Sequence, residues 1–389
     1  NMDNIINSAA QIRHNNKKKI LNYLMMHDCV TKKEIAMQTD LSPATVSNLS
    51  NQLIEDGFIL VSSYQKSSGG RNAGLLTIKN NRKYYLALRI IDEFQVEAAL
   101  ISFEKEIVKS FFVSVKDNSM SGMMEACEAG ISRCLEGEPD FQGEILGVGV
   151  ALPGIVDMDK GILLNSTIAF LEDKPVVTEL QHRIKYPVTG ANESNILALA
   201  LATQENRDTL LQDTIYLHVD EGLGIGIICN GSLLTGSHNQ GGEISHMPIG
   251  SKGLLCKCGK RGCVETELSL NGFLNDFEEI ANRNVSWKDF CLEAENKNVH
   301  AMQVLEEKGR VLGRLFSILD ALFDPSVFYL GGRGVDLFDE MAAYIENEYR
   351  SRLFIDKSKS LRLYPCYDYD KLLLKGCADL AFDYFALQD

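Results

Sequence analysis

A glycine-rich stretch of 32 residues, from 236 to 267, constrains this chain more than any other part of its sequence. It holds three of the ten cysteines within eight positions, a histidine ten residues before the first of them, and three carboxylates. These residues are His246, Cys256, Cys258, Cys263, Glu243, Glu265 and Glu267. Soft and acidic ligands at this density in a turn-prone segment indicate a binding site rather than part of an apolar core.

The other cysteines and the length indicate an ordinary globular protein. A chain of 389 residues is long enough for two or three domains with substantial cores. The remaining seven cysteines are scattered, many of them in apolar sequence, which is typical of reduced, buried thiols. No signal peptide and no apolar run of membrane-spanning length is apparent. We therefore expect a soluble, cytoplasmic protein that does not contact a membrane.

The charge is unevenly distributed along the chain. Residues 1–83 contain eleven lysines and arginines against six acidic residues, a balance of +5. Because the whole chain carries −14, the remainder carries −19. A basic N-terminal part on an acidic body indicates a nucleic-acid-binding domain joined to another kind of domain.

The first 80 residues read as a winged helix-turn-helix domain. Residues 12–26 have the spacing of an amphipathic helix with three consecutive lysines, and a capping box at Thr31 and Glu34 opens a second helix. A third helix begins at Ser42, which suits the N-cap, followed by Pro43 in the first turn. The wing is predicted over residues 57–78, with Arg71 at its glycine-rich tip.

The third helix leaves small polar side chains exposed, as a reader of the DNA major groove does. Arg71 could reach a minor groove or a phosphate. The alternatives are an ordinary solvated helix and a solvated loop arginine. The predicted DNA contacts are Ser42, Ala44, Thr45, Ser47, Asn48, Asn51 and Arg71.

The body, residues 81–389, is predicted to be α/β. Three strands in a meander, between residues 84 and 115, precede a helix over 120–135 and a buried strand over 145–152. Strands and helices then alternate, which places ligand sites at strand ends. We expect two lobes, about 81–190 together with the C-terminal helix, and about 191–370.

Three polar or glycine-rich turns follow predicted strands. Residues 221–226 and 330–334 are glycine turns that could admit a phosphate or a sugar, although tight strand connections also use glycine. Asn192 and Glu193 precede an alanine-rich helix. They could simply cap that helix, or they could bind sugar hydroxyls, with Glu193 as a base.

With these pieces in order, the chain resembles the ROK family (repressors, open reading frames and kinases), and specifically its winged-helix sugar-responsive repressors. Residues 243–246 are similar to the family element E-x-G-H, with Ser245 in place of the usual glycine. Residues 256–265 match the signature C-x-C-G-x-x-G-C-x-E without a gap. Further landmarks occur in the expected order at 69–71, 153–157, 192–195 and 330–332.

The resemblance implies an actin-like or hexokinase-like (ribonuclease H-like) two-lobed body behind the winged helix. It also implies a structural Zn²⁺ held by His246, Cys256, Cys258 and Cys263, a closed set of ligands with no open position. A sugar pocket is implied at Asn192, Glu193, Glu243, His246 and Glu265. His246 would then bridge the metal and the sugar through its two ring nitrogens.

Two functions remain open at this stage. The kinases of the family carry a D-x-G-x-T phosphate loop, whereas residues 86–95 here contain no glycine or threonine and add Asp92 and Glu93. We therefore expect no catalytic residue and no enzyme, but a repressor that binds operator DNA as a homodimer or homotetramer and responds to a sugar or sugar phosphate. The alternative is a sugar kinase with Glu193 as its base. The sequence does not specify the sugar, the operator or the direction of the response.

Overall fold

The structure is a computed structural model, and it describes the chain in seven segments: residues 2–65, 73–79, 83–136, 143–204, 213–250, 252–354 and 358–386. The chain divides into two compact units. Unit 1 comprises Asn1–Ile196, Ala200–Leu211 and Leu373–Asp389, and unit 2 comprises Leu197–Leu199 and Gln212–Leu372. Each unit is described by itself.

The N-terminal part of unit 1 is a winged helix-turn-helix. Its elements are α1 (Met2–Met26), β1 (Val30–Thr31), α2 (Lys32–Thr39), α3 (Pro43–Glu55), β2 (Ile59–Gln65) and β3 (Ala73–Ile78). The three strands pair in the order β1-β3-β2. The predicted capping box is present, because the Thr31 side chain accepts the Glu34 N–H while Glu34 accepts the Thr31 N–H. Ser42 caps α3 by accepting the Thr45 N–H.

The rest of unit 1 is built on a five-stranded sheet of order β10-β7-β4-β5-β6. Its elements are β4 (Lys83–Ile90), β5 (Gln95–Ser102), β6 (Ile107–Ser114), α4 (Met120–Leu135), β7 (Glu144–Leu152), β8 (Gly154–Asp157), β9 (Ile162–Ser166), α5 (Val176–Arg183), β10 (Val188–Asn192) and α6 (Glu193–Gln204). The C-terminal helix α12 (Tyr369–Ala381) continues as a π-helical turn, Phe382–Ala386. The helix packs so closely on the sheet that a Cβ at Gly149 would lie 2.0 Å from the Cys377 carbonyl oxygen.

Unit 2 repeats this topology in a second sheet of order β13-β12-β11-β14-β15. Its elements are β11 (Thr214–Val219), β12 (Leu223–Cys229), β13 (Ser232–Leu233), α7 (Glu265–Leu268), α8 (Leu270–Ala281), α9 (Trp287–Glu295), α10 (Val299–Phe323), β14 (Val327–Gly331), α11 (Phe338–Arg352) and β15 (Leu363–Pro365). In both sheets an antiparallel meander is followed by two parallel strands. Each parallel addition needs a helical crossover, which accounts for the alternation seen in the sequence.

The predicted elements of the body are confirmed, with small changes at their ends. The meander, the helix over 120–135 and the strand before Pro153 all form where the pattern indicated. The π-helical end of the chain and the three helices between residues 265 and 295 were not anticipated. Among the described residues, no helix is long and apolar enough to cross a membrane.

Candidate metal centre and ligand-binding residues

The cysteine loop is shaped by short-range hydrogen bonds. The Cys256 N–H donates to the Lys260 carbonyl at 2.8 Å, and the Gly259 N–H donates back to the Cys256 carbonyl at 2.9 Å. Gly259 has a φ of +84° and Gly262 a φ of +76°, a backbone region that side chains with a Cβ disfavour. The two glycines of the signature therefore allow the tight turn that brings the cysteines together.

The four sequence-predicted ligands converge in unit 2. One potential ligand atom from each of His246, Cys256, Cys258 and Cys263 lies within 4.8 Å of the others. The Cys256 Sγ lies 3.5 Å from the His246 Nδ1, and the Cys258 Sγ lies 3.5 Å from the Cys263 Sγ. Ligands at zinc distances and tetrahedral angles are about 3.3–3.8 Å apart. These residues therefore fit a four-coordinate metal ion, and the cluster can hold one.

The electrostatics of the thiols also favour a cation. Burial and the neighbouring thiols Cys258 and Cys256 together raise the pKa of Cys263 to about 12. The Lys260 backbone N–H donates to the Cys258 sulfur and lowers the pKa of that thiol. A divalent cation at the centre of the cluster would stabilise all three as thiolates.

Two of the predicted sugar-binding carboxylates lie beside this loop. The Glu265 Oε1 pairs with the Lys257 Nζ at 3.1 Å, so this lysine neutralises a carboxylate as well as lying next to two thiols. Burial of the carboxylate raises the pKa of Glu243, and the negative charge of Glu265 raises it further. Because the His246 Nδ1 faces Cys256, Nε2 is the ring nitrogen on the opposite side.

Glu267, which has no role assigned from the sequence, is buried and hydrogen-bonds the backbone that precedes the cysteine loop. Its side chain is 1% exposed, and its Oε1 accepts the Lys252 backbone N–H at 2.8 Å. The Lys252 Nζ pairs in turn with Asp276 at 2.7 Å, and Asp276 also pairs with the buried Lys308. This network holds Lys252, four residues before Cys256, by both its backbone and its side chain.

Asn192 and Glu193 lie in unit 1, at the end of β10 and the start of α6. The Asn192 Oδ1 accepts the Ser194 N–H at 2.8 Å, and its Nδ2 donates to the Gly154 carbonyl at 3.2 Å. The Glu193 Oε1 accepts from the Arg89 Nε at 3.0 Å. Sequence reasoning missed Arg89, although it lies within the segment compared with the phosphate loop of the kinases.

The glycine turn after β14 lies tightly against a neighbouring strand. Gly332 has a φ of +75°, and a Cβ there would lie 2.4 Å from the Val219 carbonyl oxygen. This close approach of β11 and the turn after β14 supports the simpler interpretation of the turn at 330–334, a tight strand connection. Asp220 and Glu221 occupy the turn after β11, and Arg333 forms ion pairs with both.

Six residues in or directly before α3 were predicted to contact DNA, and five of them are exposed as expected. Thr45 is half-buried, and the other five are exposed: Ser42, Ala44, Ser47, Asn48 and Asn51. The Asn51 Oδ1 accepts from the Lys32 Nζ at 2.8 Å, and the Asn48 Oδ1 accepts from the Gln52 Nε2 at 3.2 Å. Arg71 lies outside the described residues.

The chain combines a winged helix-turn-helix, two five-stranded sheets of the same topology and a Cys₃His cluster. This combination defines a class of regulator in which a DNA-binding domain is attached to a sugar-kinase-like body. The chain belongs to the ROK family, whose model matches residues 93–383. A second model, winged helix-turn-helix DNA-binding, matches residues 13–59.

The similar curated proteins include xylose repressors, N-acetylglucosamine repressors and a dual regulator of transcription. The chain is 26% identical to the xylose repressor of Caldicellulosiruptor bescii over 380 residues, covering 93% of this chain and 94% of the relative. It is 25% identical to the DNA-binding transcriptional dual regulator NagC of Escherichia coli, covering 84% and 82% respectively.

Solved structures confirm the predicted fold. A ROK family transcriptional regulator, a homolog of the E. coli MLC protein, superposes with a TM-score of 0.79 at 20% identity, covering 96% of this chain and 97% of that one. A ROK family glucokinase from Streptomyces griseus superposes with a TM-score of 0.62 at 23% identity, covering 76% of this chain and 98% of the glucokinase. The body therefore has the hexokinase-like fold, and the winged helix is additional to it.

Proposed function

We propose that this protein is a transcriptional repressor whose affinity for operator DNA changes when a sugar or sugar derivative binds to its ROK body. The observation that carries the proposal is the capped α3, with its exposed polar face, in the same chain as the ROK body. The proposal extends to this chain what the names of the relatives say of them, namely repression linked to xylose or N-acetylglucosamine.

The residue assignments of the proposal follow the sequence analysis. DNA contacts are assigned to Ser42, Ala44, Thr45, Ser47, Asn48, Asn51 and Arg71, and sugar contacts to Asn192, Glu193, Glu243, His246 and Glu265. The domain boundary is proposed near residue 80. A dimer or tetramer would present two α3 helices to successive half-sites of an operator in the cytoplasm.

We propose Zn²⁺ as the ion of the Cys₃His cluster. Three thiolates and an imidazole favour zinc over harder cations, and they leave no open position for catalysis. When bound, zinc would supply structural cross-linking of the loop between residues 246 and 263. It would also fix the orientation of the His246 ring, and so the presentation of Nε2 to a sugar.

The protein is proposed not to be an enzyme. A kinase would need the Glu193 carboxylate as a base, but here this carboxylate forms an ion pair with Arg89 at 3.0 Å. Asp220 and Glu221, at the turn after β11, would repel a triphosphate. Phosphoryl transfer depends on positioning and neutralising the phosphates, and acidic side chains oppose both.

An electrophoretic shift assay with the DNA upstream of the protein's own coding region tests the proposal. We expect retention that weakens steeply as salt rises from about 50 to 200 mM, because phosphate contacts release counterions. A fragment of equal length from within a coding region is the control. Equal retention of both fragments, or retention of neither, would exclude a specific repressor.

A further inference from the structure

Two of the three consecutive lysines in α1 are not available to DNA. Lys17 and Lys18 are 3% and 2% exposed. The Lys18 Nζ lies 2.6 Å from the Asp383 Oδ1 in the π-helical turn that follows α12, and the Lys17 Nζ lies 3.6 Å from Asp56. Lys18 therefore pairs with the body part of unit 1, whereas Lys17 pairs within the DNA-binding part, next to the end of α3.

A second ion pair lies one helical turn earlier on α12. The Asp379 Oδ1 lies 3.0 Å from the Lys105 Nζ. The Thr203 hydroxyl is shared between two acceptors, the Asp379 Oδ2 at 3.1 Å and the Ala200 carbonyl oxygen of its own helix at 2.9 Å. The Asp379 side chain is 5% exposed. We call Lys18, Lys105, Asp379 and Asp383 the charge cluster.

The charge cluster is joined to the first turn of α6. Thr203 lies near the end of α6, and Glu193, paired with Arg89, begins the same helix. Helices α6 and α12 are in direct contact, because a Cβ at Gly376 would lie 2.7 Å from the Ile196 Cγ2. One helix thus runs from a proposed sugar-binding carboxylate, Glu193, to Thr203, whose hydroxyl contacts Asp379 on α12.

Stability alone is a poor explanation for these ion pairs. The free energy needed to remove two charges from water nearly equals the attraction that they gain as a buried pair. Apolar side chains of similar size therefore often stabilise a protein equally well. Directional ion pairs do specify one geometry, since a small displacement leaves a charge without its partner. Such contacts suit an element that has two discrete arrangements.

We propose that Thr203, Asp379, Asp383 and Lys18 are positioning residues that carry the effector signal from the first turn of α6, through α12, to α1 of the DNA-binding domain. This inference rests on the function proposed above. A sugar that engages Glu193 competes with Arg89 and so favours a different position of α6. Thr203 transmits that shift to Asp379, and α12 transmits it through Asp383 to Lys18.

Amide hydrogen exchange on the full-length protein tests the route without any sugar or DNA. Exchange over residues 12–26 is compared in the wild type, Glu193→Gln, Thr203→Val and the double variant. We expect Glu193→Gln to change exchange in α1 by several-fold, and Thr203→Val to abolish that change. An equal effect of Glu193→Gln in both backgrounds, or no effect in either, overturns the route.

DNA affinity provides the second readout, with D-xylose and N-acetylglucosamine as probes. A sugar is chosen that changes the DNA affinity of the wild type about tenfold, a usual size for such coupling. In Thr203→Val and in Asp383→Asn, the same sugar should change DNA affinity less than about twofold. Their affinities for DNA alone and for the sugar alone should stay within about threefold of wild type. Lys371→Ala, exposed on α12, is the matched control.

The outcomes separate this inference from the proposed function. A merely structural role would lower both affinities and leave the sugar-induced change intact, which would contradict the route. Should Asp383→Asn fail to fold, Thr203→Val still decides, because it removes one hydroxyl and keeps the side-chain volume. If the wild type binds no DNA, or if neither sugar changes its DNA affinity, the result counts against the proposed function. The hydrogen-exchange experiment still tests the route, because it requires neither sugar nor DNA.

Discussion

The Arg333 guanidinium grips both carboxylate oxygens of Asp220, with its Nε 3.0 Å from Oδ1 and 3.1 Å from Oδ2. Asp220 directly follows β11, and Arg333 follows β14, so the pair links two neighbouring parallel strands at their carboxyl ends. That edge is where α/β proteins commonly bind phosphates. Here it presents two carboxylates, Asp220 and Glu221, paired with the single guanidinium of Arg333, which leaves a net negative charge.

We therefore expect the protein not to bind Mg-ATP. Calorimetry at millimolar nucleotide should show no heat of binding, because Asp220 and Glu221 repel the phosphates. A coupled assay for ATP consumption across a panel of sugars provides the functional counterpart. Sustained turnover that depends on one sugar would make the protein a kinase and overturn the non-enzymatic proposal.

The same pair should contribute to stability in a pH-dependent way. Burial alone would raise the pKa of Asp220, but hydrogen bonds from Arg333 outweigh it and lower the pKa. A carboxyl whose folded pKa is lowered stabilises the fold above its unfolded pKa of about 3.9, and that contribution is lost as the pH falls through the lower value.

Asp220→Asn should thus cost about 0.5–1 kcal/mol near neutral pH, the usual range for a partly exposed pair. The cost should shrink as the pH falls below about 4, because Asp220 then becomes protonated in the unfolded state before it does in the folded state. Urea unfolding between about pH 3 and 7 measures it, with the i,i+4 surface pair variant Glu306→Gln as a control. A cost that is constant with pH would show that the ion pair is not its cause.

The metal and ligand functions of the cysteine loop should be separable by mutation. Cys258→Ser should remove bound zinc and lower the melting temperature, because a structural site contributes directly to folding. Glu243→Ala should retain about one zinc per chain and lose the sugar response, since this carboxylate is no ligand of the cluster. Metal analysis by mass spectrometry decides, and zinc loss in Glu243→Ala would contradict the separation.

The exposed face of α3 should matter to DNA and not to folding. Asn48→Ala removes an exposed amide and should weaken operator binding by about 1–3 kcal/mol with an unchanged melting temperature. Gln38→Ala, exposed on α2, is the matched control. If both variants bind like the wild type, another face of the domain contacts the operator.

Local features were predictable from the sequence, and long-range ion pairs were not. The caps at Thr31 and Ser42 follow from residues three positions apart, and strand and helix periodicities are equally local. Arg89 and Glu193 are 104 residues apart, and Lys18 and Asp383 are 365 apart. Nothing in either neighbourhood marks Lys17 and Lys18 for burial, so only the fold reveals these partners.

The candidate metal site was predictable for a different reason. The four ligands lie within 18 residues of one another, and their spacing alone restricts how the loop can close. Glu267 has the same residue type as the proposed sugar-binding Glu265, two positions away. Their separate environments, one buried behind the loop and one half-buried beside Lys257, become visible only in the structure.

Fluorescence anisotropy of the full-length protein on its own upstream DNA, with and without each sugar of a panel, tests the central claim most directly. The panel should include xylose, N-acetylglucosamine and their phosphates. We expect one sugar to change the dissociation constant for this DNA at least about fivefold, and to have no effect on a DNA of unrelated sequence. Specific binding that no sugar alters, or no specific binding at all, would contradict the account of a sugar-responsive repressor.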